Sequence, residues 1–256
     1  MAKKNYLTNE EQEVWGYIHD KEIIDNELIR QIFPEIKGNK RNKILHNLFK
    51  KGYIKRARKD LYYNPKNLTI FYKLALKFKE GYIGLSSAIR YYNLLDYEDF
   101  TIFVITKNFQ KKIDLKDTKY SIQFIPLSNL FTGFEKKNEF YISTIEKTLF
   151  DCLLKPNSIG FTNITKAFYD AKVDWNKLIR FFTLTNNNSL CQRTGYILEL
   201  MKVKTKLKVP EFVFKYLLKK VKYPVKLIPI DSPSHFNTKW KIEDNLGENK
   251  ILSWWH

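Results

Sequence analysis

A chain of 256 residues with 44% apolar side chains has room for two domains and a packed core, which excludes general disorder. Its formal net charge of +18 points to a polyanionic partner, either nucleic acid or an anionic membrane surface. No apolar run approaches the roughly 18 residues of a membrane span, and the charged start MAKKNYLTNEEQE lacks the apolar core of a secretory leader. Cys152 and Cys191, each in apolar helix-like context, read as buried free thiols of a cytoplasmic protein rather than a disulfide framework.

The first helix is predicted to begin at Thr8, where Thr8-Asn9-Glu10-Glu11 has the form of a capping box. Val14, Trp15 and Ile18 supply its apolar stripe. A second helix follows Asp25, a good N-cap, with Leu28, Ile29, Ile32 and Phe33 facing inward and Pro34 stopping it. Lys37 to Lys59 then carries ten Lys or Arg and no acid in 23 residues. Within it Ile44, Leu45, Leu48 and Phe49 form one helical stripe. At about 100° per residue, Lys43, His46, Asn47 and Lys50 fall opposite. Asn39 is a candidate cap and Gly52 a left-handed stop. Two β-like runs, Tyr53–Ala57 and Leu61–Tyr63, are joined by Arg58-Lys59-Asp60 as a tight turn.

Three helices and a basic-tipped hairpin in residues 1–64 make up a winged helix-turn-helix, in which the third helix enters the major groove and the hairpin follows the phosphates. Asn42, Lys43 and His46 are candidates to reach base edges, with Asn39 and Lys40 nearby, Asn39 also being the candidate cap, and Asn47 on the same DNA-binding face. Arg41 projects closer to the core stripe. Lys50, Lys55, Arg56, Arg58 and Lys59 are placed to neutralise phosphates. The acids of the first two helices are expected to lie away from this surface.

Asn64-Pro65-Lys66-Asn67 is the predicted domain boundary. Residues 65–256 are expected to form a mixed α+β domain, with helix Leu68–Lys79, strands Phe100–Thr106, Tyr120–Pro126 and Glu139–Ile142, and helices Lys147–Leu154, Ile164–Asp170, Trp175–Thr183 and Ser189–Val203. Ser143-Thr144-Ile145-Glu146 has the form of a second capping box. Lys202–Lys226, with nine Lys and one acid, suits either a second phosphate-binding surface or a solvated face over core. Trp254 and Trp255 are expected to pin the tail to the body.

The order of GYIKRARKDLYYNP, GYIGLSSAIRYYNLL, FTIFVITKN, YISTIEKTLFDCLLKP and CQRTGYILELMK resembles the AbiEi family of antitoxins and viral-defence transcriptional regulators, across Thr8 to Lys202. The resemblance implies a winged helix that binds double-stranded DNA at the protein's own promoter and represses it. It also implies an α+β domain that counteracts a co-encoded nucleotidyltransferase toxin, without implying a stable complex between them.

An enzymatic alternative, a nuclease or nucleotidyltransferase-like protein with a winged-helix substrate-binding domain, would draw on Glu146, Asp151 or the Asp96, Glu98, Asp99 cluster. Glu146 is accounted for by the expected capping box. Asp151 lies five residues on, about 140° around a helix, so the two carboxylates do not share a face. Neither cysteine has a partner at zinc-ligand spacing, and no phosphate-cradling glycine loop is present. The expectation is a non-enzymatic protein without metal or cofactor.

Overall fold

Thr8 opens the first helix as its sequence requires. Its hydroxyl accepts from Glu11 N at 3.3 Å while Glu11 Oε2 accepts from Thr8 N at 2.8 Å, the reciprocal pair of a capping box. The structure, a computed structural model, describes residues 6–64, 68–95, 99–230, 232 and 235–255. From Thr8 it runs through α1 (Asn9–Ile18), β1 (Ile23–Asp25), α2 (Asn26–Ile32), α3 (Gly38–Lys50), β2 (Lys55–Arg58), β3 (Leu61–Tyr63) and α4 (Leu68–Phe78). There follow β4 (Tyr82–Ile83), α5 (Leu85–Tyr91), β5 (Thr101–Thr106), β6 (Ile113–Asp114), β7 (Ser121–Pro126), β8 (Phe134–Lys137), β9 (Phe140–Ser143) and α6 (Ile145–Leu154). The chain ends with α7 (Phe161–Asp170), α8 (Trp175–Thr183), α9 (Asn188–Lys204), α10 (Glu211–Leu218), β10 (Val225–Lys226), β11 (His235–Asn237), β12 (Ile242–Asp244) and α11 (Glu248–Ile251). The class is α+β, with strands gathered into sheets of order β1-β3-β2, β6-β7-β5-β4-β9-β8 and β10-β12-β11.

The chain divides into two compact units, one of Met1–Gly81, Phe100–Val104 and Gln110–Phe124, the other of Tyr82–Asp99, Ile105–Phe109 and Ile125–His256. Most of the expected boundary, Pro65–Asn67, lies outside the described residues. In the first unit, Val14 and Ile18 of α1, Ile29 of α2 and Ile44, Leu45 and Leu48 of α3 close on Ile24 and Tyr62 from the small sheet and on Ile54 just before it. Trp15, Leu28, Ile32 and Phe49 pack around them, half-buried. β1 is a strand that the sequence reading missed, since Ile23-Ile24-Asp25 is too short for a period-2 signal; it pairs antiparallel with β3, Ile23 opposite Tyr63. α4 belongs to this unit. Lys73 Nζ reaches Glu22 at 2.5 Å and Lys77 Nζ reaches Asp25 at 3.3 Å, and Phe71 meets Tyr63 edge-on at 5.9 Å.

In the second unit, β4 runs parallel to β9 with Ile83 opposite Ile142, and β8 runs antiparallel to β9 with Phe134 opposite Ser143. The second expected capping box does not form. Ser143 ends β9, with its hydroxyl bonded to Thr148 Oγ1 at 2.6 Å, and Thr144 caps α6 instead. The strand keeps Ser143 because its main chain is already in the ladder, so the helix starts one residue later. Trp240, fully buried, lies against α9 at Gly195, where an added Cβ would stand 2.0 Å from Cζ3. Lys202–Lys226 contains α10, whose Val213, Phe214 and Leu217 are buried while Lys206, Lys208, Lys215 and Lys219 stay exposed. Trp254 donates Nε1–H to Thr165 Oγ1 at 2.8 Å, and both terminal tryptophans pack on Tyr169 at 5.1 Å, which holds the tail to α7.

Candidate nucleic-acid interface

The site is built on α3. Lys37 is its N-cap and no side chain caps it, so Asn39 is not used as the expected cap. The first turn also holds no acid of its own, so no side chain of α3 itself complements the positive end of its dipole. At the other end Gly52, at φ 81°, closes a Schellman motif: Gly52 N donates to Phe49 O at 2.9 Å and Tyr53 N to Leu48 O at 3.0 Å. That turn holds Tyr53 and Ile54 out of the hairpin, so β2 begins at Lys55 rather than Tyr53.

With Ile44, Leu45 and Leu48 buried, helical phase puts Asn39, Lys43, His46 and Lys50 along the opposite side. Asn39, Lys43 and Lys50 are exposed and His46 half-buried. None of these four side chains has an ion pair or hydrogen bond among the described residues, and the His46 ring lies 6.3 Å from that of Phe49. The flanking candidates are engaged. Asn42 Oδ1 accepts from Asn26 Nδ2 at 2.6 Å, so a bidentate contact to adenine requires that bond to open. Arg41 turns beneath the helix start and donates to Ile36 O at 2.5 Å.

The acids of α1 do not all lie away from this surface. Glu10 pairs with Lys40, and Glu11 pairs with Lys51 and accepts from Asn47 Nδ2 at 2.9 Å. A cleft of about 450 Å³ runs between the two helices, lined by Glu10, Glu11, Asn39, Lys40, Lys43 and Asn47. Glu11 is 2% exposed. Burial works to raise its pKa, but bonds from Lys51, Thr8 N and Asn47 outweigh it and hold the carboxyl at about 2.

The hairpin turns at Lys59-Asp60, with Asp60 at φ 61° and a register shift between Arg56 and Arg58. Arg58 therefore sits in the strand rather than the turn. Its Nη2 donates to Lys77 O at 3.2 Å and its guanidinium covers the Phe78 ring at 5.1 Å. Arg56 lies over Tyr62 at 6.0 Å. Lys55 and Lys59 are exposed and unpartnered among the described residues.

Of the acids of the enzymatic alternative, those among the described residues have separate partners. Glu146 Oε1 accepts from Asp174 N at 3.1 Å. Asp151 is fully buried against Lys147, Oδ1 to Nζ 2.5 Å, with its Oδ2 and the Tyr82 hydroxyl unpartnered among the described residues. Burial drives the Asp151 carboxyl up to about 6 and the Lys147 amine down. Lys147 was missed in the sequence, although its i, i+4 spacing to Asp151 was the available signal. Asp99 accepts from Ser86 at 2.6 Å; Asp96 and Glu98 lie outside the described residues. Among the described residues no group of three His, Cys, Asp or Glu is placed to hold a metal ion, and no helix is long and apolar enough to cross a membrane.

No family model matches the chain, and no curated protein matches its sequence. Among solved structures it is similar to the crystal structure of RV2827C protein from Mycobacterium tuberculosis, with a TM-score of 0.69 over 97% of this chain and 95% of that one. The likeness is one of fold. At 15% identity it carries neither a function nor a site from that protein to this one.

Proposed function

We propose that this protein is a cytoplasmic, non-enzymatic DNA-binding antitoxin and transcriptional autorepressor. In this reading α1–α3 and the small sheet act as a winged helix-turn-helix, with α3 entering the major groove and the β2–β3 hairpin lying along the backbone. The observation that carries the DNA reading is the stripe of Asn39, Lys43, His46 and Lys50, unpartnered among the described residues, together with the exposed Lys55 and Lys59 of the hairpin. Lys43 offers a donor to guanine and His46 a second polar contact to base edges. Lys50, Lys55 and Lys59 supply charge to phosphates, which raises affinity on any sequence. The antitoxin part, directed at a co-encoded nucleotidyltransferase toxin, is supported by the order of AbiEi-like segments between Thr8 and Lys202.

Gel shifts on the protein's own upstream DNA and on a scrambled duplex test this. Lys43→Ala with His46→Ala should lose preference for the upstream sequence, while Lys55→Ala with Lys59→Ala should weaken both duplexes about equally and flatten the salt slope by about two. In cells the first pair should abolish repression yet still rescue from the toxin. Unchanged binding in both pairs would reject the interface, and loss of rescue together with repression would reject separate antitoxin action.

A further inference from the structure

We infer that Glu10 sets the affinity of the α3 surface: its carboxylate competes with duplex phosphate for Lys40 and holds down binding to DNA of any sequence. The inference rests on the DNA-binding reading above. Both carboxylates at the start of α1 meet cations of α3, and they do so differently. Glu11 is buried, completes the capping box and ties α1 to Lys51 and Asn47 at the far end of α3. Glu10 takes no part in the cap. Its one partner among the described residues is Lys40, and the two side chains are 54% and 52% exposed. An exposed pair of that kind contributes little to folding. As an acid in the first turn of α1, Glu10 also complements the helix dipole, a modest effect that does not call for its pairing with α3.

Its position gives a further reason. Glu10 lines the same cleft as Asn39, Lys40 and Lys43, inside a segment, Lys37 to Lys59, that has no acid of its own. A phosphate that takes Lys40 must displace the Glu10 carboxylate and then stay within a few ångströms of it. Lys40 thus exchanges one anion for another and releases fewer counterions than a free lysine would. Phosphates carry no sequence information, so the penalty falls on all duplexes alike. On a chain of net charge +18 this restrains binding to bulk DNA, while base contacts from Lys43 and His46 still distinguish the operator.

The test is equilibrium binding of the full chain to its upstream duplex and to a scrambled duplex across a salt series. Glu10→Gln should tighten both by about three- to tenfold, leave their ratio unchanged and steepen the salt slope by about 0.9. In a Lys40→Ala background the same change should have no such effect. The urea midpoint of Glu10→Gln should fall only slightly, since the pair is exposed and the carboxylate's effect on the α1 dipole is modest. Equal affinity with and without Glu10, while Lys43→Ala with His46→Ala still loses preference, would overturn the assignment and leave the DNA reading intact. A gain that persists without Lys40 would overturn the competition. Absence of duplex binding by the unaltered chain would overturn the reading beneath both.

Discussion

Two buried carboxylates, Glu11 and Asp151, show how differently one functional group behaves with its surroundings. Glu11 gains more from Lys51, Asn47 and Thr8 N than burial takes away, so its pKa falls from 4.5 unfolded to about 2 folded. Because the folded value is the lower one, its contribution is complete above about pH 4.5 and is lost as pH falls toward 2. At 1.36 kcal/mol per unit it is worth up to about 3 kcal/mol. Glu11→Gln should remove most of this, read as a urea midpoint that is lowered at pH 7 and changes less than the original on acidification to pH 3. Asp151 is the converse case. Breaking its buried pair with Lys147 by Asp151→Asn leaves an ammonium in an apolar interior and should cost about 3–5 kcal/mol, whereas Lys147→Met with Asp151→Leu should restore most of the loss. Calorimetric melts of the two variants separate these outcomes; equal melting temperatures would show that the pair is not coupled.

At the scale of elements, α3 and its stop were the most legible part of the chain. The Ile44, Leu45, Leu48 stripe fixes which side is buried, and Gly52 ends the helix because its φ of 81° is open to glycine. Gly52→Ala should cost about 1 kcal/mol in chemical denaturation, with the α3 surface unchanged; a neutral substitution would show that the Schellman turn is dispensable. The helix start was misread because Asn39 has the chemistry of a cap, but Lys37 occupies the position geometrically. Strands with six residues, β5 and β7, were found within a residue of their ends, while β1, β4, β6 and β10–β12, two or three residues each, carry too little alternation to be seen. The hairpin was placed correctly but its turn was not. The register shift at Arg56 and Arg58, which directs Arg58 onto Lys77 O, depends on α4 packing that no local pattern encodes.

For the whole molecule, what the sequence could not convey is pairing at a distance. Excess charge was plain from composition, yet which cations are free depends on contacts between residues 30 to 40 positions apart, such as Glu10 with Lys40 and Glu11 with Lys51. Those contacts reduce twelve candidate residues to a smaller set with unpaired side chains among the described residues: Asn39, Lys43, His46 and Lys50 on the helix, with Lys55 and Lys59 on the hairpin. The chain has other exposed lysines, among them Lys206, Lys208, Lys215 and Lys219 around α10. Net charge alone draws any of them toward DNA, so bulk affinity does not identify the interface.

The most direct test is lysine protection. The full chain would be treated with an amine-reactive reagent, with and without its own upstream duplex, and modification read residue by residue by mass spectrometry. Lys147, fully buried, serves as the unreactive control. The expected result is strong protection of Lys43, Lys50, Lys55 and Lys59 by the duplex. Bound duplex that leaves those four as reactive as before would contradict the account at its centre.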